Sequence, residues 1–113
     1  MRYLLSMMVL GMFAALASPA YAQNAAVERG AKVYAESKCT MCHSIAGKGN
    51  AKGSLDAVGT KLKADEIRQW VVDPETMREK TKAERKPNMK AYASLAKDDV
   101  DALVAYLQTL KGK

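Results

Sequence analysis

A chain of 113 residues with 49% apolar and 27% charged residues has the size and composition of one globular domain, and is too apolar for a disordered tract. The formal net charge is +6, with two cysteines and a single histidine. Those counts exclude a disulfide-rich scaffold and any structural zinc site needing four Cys/His ligands.

The first 22 residues are predicted to be a secretory leader, not fold. Met1-Arg2 supplies a positive start, Leu4 to Leu16 is an uncharged apolar run, and Ser18-Pro19-Ala20-Tyr21-Ala22 ends in a small-x-small cleavage pattern. The apolar run is shorter than the roughly 20 residues a membrane-spanning helix requires. Cleavage after Ala22 leaves a domain over 23–113 that is exported to the periplasm, with no stable membrane insertion. Export carries both thiols into an oxidising compartment.

Within that domain the apolar residues recur at helical spacing. A first helix is expected from Val27 to about Lys38, with Val27, Ala31 and Tyr34 on one face and Gly30 beside them. Cys39-Thr40-Met41-Cys42-His43 follows. Cys-x-x-Cys-His is the attachment signature of c-type haem. Residues three and four apart share one face of a helical turn, so both thiols and the imidazole can address one object. The thiols can add to the two vinyl groups of a haem, and His43 can offer its imidazole to the iron. A thioredoxin-like redox pair would need a strand feeding the motif, and the residues before Cys39 read as helix. A plain Cys39–Cys42 disulfide would close too short a loop to staple much.

Residues 47–53 contain three glycines and are expected to be a flexible loop. Asp65 to Val72 is predicted as a second helix, with Ile67, Trp70 and Val71 at i, i+3 and i+4, acids in the first turn, and Asp73-Pro74 as its end. From Asp98 to Leu110 an apolar stripe of Val100, Leu103, Val104, Leu107 and Leu110 marks the last helix, with aspartates at its start and Lys111 at its end. The expected fold class is all-α, three to five helices around one haem per chain. So small a domain would draw much of its core from the porphyrin, and the apoprotein should fold poorly.

The second axial ligand follows from counting. With one histidine in the chain, bis-histidine ligation is excluded, and Met/His is the recognised alternative. Four of the seven methionines leave with the leader; Met41, Met77 and Met89 remain. Met41 sits inside the attachment turn, on the His43 side. Met89, on a segment stiffened by Pro87, is favoured, and Met77 is the alternative.

Taken together, these residues resemble the small monohaem class I cytochromes c of bacteria. Gly30-Ala-Lys-Val-Tyr34 is similar to that family's first helix, where a glycine lets the last helix cross closely; Leu103-Val-Ala-Tyr106-Leu107 is similar to the partner helix. A methionine 46 residues after His43 completes the match. The resemblance implies that a backbone carbonyl near Gly53-Ser54-Leu55, where the family commonly has Gly-Pro, accepts a hydrogen bond from His43. It also implies that Trp70 donates to a haem propionate; a core role for Trp70 on the Ile67–Val71 face is the alternative. Lys90 stands where proline often follows the ligand methionine.

With both axial positions filled, the iron has one-electron chemistry left and no site for a substrate. The expected function is a monomeric one-electron carrier, not an enzyme. Alternatives are the electron-accepting subunit of a periplasmic dehydrogenase, or a gas or redox sensor with a labile ligand. Loss of Arg2 with the leader takes the charge to +5. Arg78, Lys80, Lys82, Arg85, Lys86 and Lys90 concentrate it ahead of Met89. That segment predicts redox-protein partners with an acidic docking surface; a solvated loop is the alternative. Nucleic acid is not an expected partner.

Overall fold

The computed structural model describes residues 19–112, so the body of the predicted leader lies outside the described residues. Five α-helices follow in order: α1 (Pro19–Glu36), α2 (Val58–Lys61), α3 (Ala64–Val72), α4 (Pro74–Thr81) and α5 (Lys97–Gln108). No helix among the described residues is long and apolar enough to cross a membrane.

Helices α1 and α5 form the principal packing. Val33 and Tyr34 of α1 and Val100, Leu103, Val104 and Leu107 of α5 are buried together, joined by Ile67 and Val71 of α3. Four residues of the stripe read from the sequence, Val100, Leu103, Val104 and Leu107, are therefore the core face of α5, each contributing about 1.5–3 kcal/mol of burial. Leu110 lies beyond the helix end at Gln108 and is only partly buried. Tyr34 and Tyr106 meet edge to face, ring centroids 6.0 Å apart at 64°. A Cβ on Gly30 would overlap the Ala102 carbonyl oxygen and stand 2.6 Å from Tyr106 Cβ. The close crossing implied by the resemblance is present.

Several boundaries differ from expectation. Helix α1 starts at Pro19, so it runs through the expected cleavage point, and it ends at Glu36, two residues short of Lys38. Lys38 takes a left-handed conformation (φ 58°), which turns the chain into a 3₁₀ turn over Cys39–Met41. Asp73-Pro74 ends α3 as predicted, but it also starts α4, which the sequence reading missed. Asp73 accepts hydrogen bonds from Thr76 N and Thr76 Oγ1 (3.3 and 2.7 Å), and Pro74 occupies the first helical position, where its missing N–H costs nothing.

The glycine-rich stretch is also more ordered than a flexible loop. Two short antiparallel strands, β1 (Ser44–Ile45) and β2 (Lys48–Gly49), pair Ser44 with Gly49 and Ile45 with Lys48. Ala46 (φ 52°) and Gly47 (φ 79°) take the positive φ values of the turn, and Gly49 (φ 110°) does so within β2. A second 3₁₀ turn, Ala51–Gly53, follows, with Asn50 Oδ1 accepting from Lys52 N at 3.0 Å. Glycines here make a tight, particular turn possible.

Candidate functional site

The hairpin brings Gly53 back against His43. His43 Nδ1 lies 3.0 Å from the Gly53 carbonyl oxygen. A carbonyl only accepts, so Nδ1 carries the proton and Nε2 keeps its lone pair for another partner. The loop is further tied by Asn50 N donating to His43 O and to Thr40 O (3.0 and 3.1 Å), and by Leu55 N donating to Ser44 O at 2.8 Å. Proline is absent after Gly53, and the histidine–carbonyl bond is nonetheless present.

Cys39, Cys42 and His43 line one cavity of about 500 Å³, and Met89 reaches the same cavity from the far end of the chain. That volume falls within the roughly 300–1,000 Å³ usual for cofactor sites. The walls are largely apolar, with Leu55, Ile67, Val71 and Leu103 among them. Trp70, half-buried on α3, also lines it. Met77 is buried on α4, 3% exposed, and is not among the residues lining the cavity. Met41, by contrast, is 71% exposed on the attachment turn.

The electrostatics suit an uncharged donor set. Burial pushes the Cys39 thiol up to about 11, with the neighbouring Cys42 adding to the rise and a backbone hydrogen bond opposing it. Neither cysteine is in a disulfide. Burial holds the His43 imidazole below its ordinary value, and the Arg85 charge acts in the same direction against the Gly53 hydrogen bond. A neutral imidazole with a free Nε2, two thiols and one thioether facing an apolar cavity is the donor set a covalently attached haem requires. The residues fit that group.

Met89 lies in a segment, 82–96, outside regular helix, and hydrogen bonds at both of its ends hold it over the cavity. Tyr92 N donates to Val71 O at 2.8 Å, and Tyr92 Oη donates to Ser37 O at 3.1 Å. On the other side, Arg85 Nη2 donates to Cys42 O at 2.5 Å. The sequence reading counted Arg85 only as one charge in a basic run and did not single out Tyr92. No local signal marks either contact, because the partners are 43 and 55 residues away. Of the six basic residues, Arg78 and Arg85 line the cavity; Arg85 is nonetheless exposed, as are Lys80, Lys82, Lys86 and Lys90.

Comparison with known proteins agrees with this geometry. Residues 27–111 match the family model described as Cytochrome c. The chain is 27% identical over 92 residues to cytochrome c oxidase subunit 2 of Alkalihalophilus pseudofirmus, an alignment covering 74% of this chain and 25% of that protein. The chain thus spans about a quarter of the length of the curated relative it matches. No solved structure gives a significant match.

Proposed function

The chain belongs to the cytochrome c family of haem-bearing electron-transfer proteins, and on that premise we propose that it is an exported, periplasmic one-electron carrier with one haem c bound through Cys39 and Cys42 and ligated by His43 and Met89. The observation that carries this reading is the convergence of those four side chains on one apolar cavity from segments some 46 residues apart. The haem supplies the exchange of one electron between ferrous and ferric iron. The chain's own residues do the rest. The Gly53 carbonyl orients the imidazole and sets its tautomer, which keeps Nε2 available. The aliphatic walls exclude water, and a fixed ligand pair limits the rearrangement that accompanies a change of charge.

The exposed lysines and the cavity-lining Arg78 and Arg85 support docking to an acidic face of a redox partner, as a monomer. The oxidase-subunit relative supports an oxidase as the class of electron acceptor. An optical and redox titration of the haem-loaded protein tests the reading. A sulfur-to-iron charge-transfer band in the oxidised form and a reversible one-electron wave are expected. Ready binding of carbon monoxide to the ferrous form would overturn closed His/Met ligation and point to a sensor.

A further inference from the structure

Arg85 lines the cavity. It precedes Met89 by four residues, yet its guanidinium rests on the attachment turn, where Nη2 donates to the Cys42 carbonyl at 2.5 Å. Nη1 of the same group lies 2.5 Å from where a Cβ on Gly53 would stand, so the fork also packs on the residue whose carbonyl holds His43. A glycine at 53 leaves the room this contact needs. One side chain therefore links both halves of the site: the turn bearing Cys42 and His43, and the irregular segment leading to Met89.

We propose that Arg85 is a positioning residue that clasps the Met89 segment onto the haem-attachment turn, and so keeps the thioether at the iron. The inference rests on the His43/Met89 reading above. Its physical basis is local. Segment 82–96 has no helical or sheet ladder to hold it before Met89, and Tyr92 anchors only the side that follows. A charge-assisted bond to a carbonyl is stronger than a neutral one, and it ties the preceding side to the attachment turn, whereas Ala83 N reaches only Arg78 O of α4. The planar fork fills two contacts at once, which a flexible ammonium or a neutral amide does not.

The test compares Arg85→Gln with the parent and with Lys52→Gln, which removes an exposed positive charge next to Gly53 without cutting the span. Carbon monoxide association with the ferrous protein reports release of the methionine. In Arg85→Gln it should rise about tenfold, the scale of one charge-assisted hydrogen bond. Lys52→Gln should stay within about twofold of the parent on the same scale. On heating the oxidised protein, the charge-transfer band of Arg85→Gln should vanish well before the helical circular dichroism does. A rate within twofold of the parent, an equal rise in Lys52→Gln, or band and helices lost together would each overturn the clasp. A parent protein lacking the band would instead remove the ligation reading on which the clasp depends.

Discussion

The carbonyl oxygen of Ala102 occupies the space that a side chain at position 30 would need, so Gly30 is where α1 and α5 cross. In an exposed helix interior, replacing glycine by alanine gains about 1 kcal/mol. Here the added Cβ would meet backbone, with the Ala102 carbonyl carbon only 2.7 Å away, and backbone cannot rotate aside.

Gly30→Ala should therefore reverse the usual sign and destabilise by about 1–3 kcal/mol, the range for overpacking. Urea unfolding of the haem-loaded protein measures it. A more stable variant would show that the helices part more easily than this crossing implies.

Met89 and Met77 should separate cleanly. Met89→Ala is expected to abolish the charge-transfer band and lower the reduction potential while leaving the covalent haem in place. Met77→Ala should keep the band but cost about 2–5 kcal/mol, as for a buried methionine. The opposite pattern in the oxidised spectra moves the ligand to Met77.

Tyr34 makes a prediction about alkaline pH. Its hydroxyl is buried and has no hydrogen-bond partner among the described residues. Burial raises the phenol from 10.0 to about 12, with the nearby Cys39 and then Tyr106 and Asp56 adding to the rise. The folded protein thus keeps this proton over a range in which the unfolded chain has released it. The associated stability is complete below about pH 10 and is lost as pH climbs from about 10 to about 12. Tyr34→Phe removes an unpaired polar group, so at pH 8 it should be as stable as the parent or more so. Its stability should also fall less between pH 9 and 12. Parallel pH curves for the two proteins would sink the idea.

The basic residues around the cavity predict a salt effect. Association with an acidic partner should slow as ionic strength rises, since the screening length shrinks to about 10 Å at 0.1 M. Stopped-flow electron transfer across a salt series checks this. Flat rates would make the run from Arg78 to Lys90 a solvated surface with no docking role.

What the sequence determined by itself was chemistry and periodicity. Cys39, Cys42 and His43 are adjacent, so their joint purpose is written in five residues, and the α5 stripe repeats at the helical period because one face must be buried. Counting donors narrowed the second ligand to Met89 or Met77, because composition limits ligation without any knowledge of shape. Tertiary structure decided what depends on contacts between distant segments. It brought Met89 to the cavity and left Met77 in the core, folded the glycine-rich stretch so that Gly53 meets His43, and laid Arg85 across to Cys42. None of these has a local signature. A hydrogen bond to the Cys42 carbonyl makes no demand on the side chain at that position, so the sequence there carries no mark of Arg85. The need for glycine at 53, where a Cβ would overlap the Cys42 carbonyl oxygen, shows only once the loop is folded.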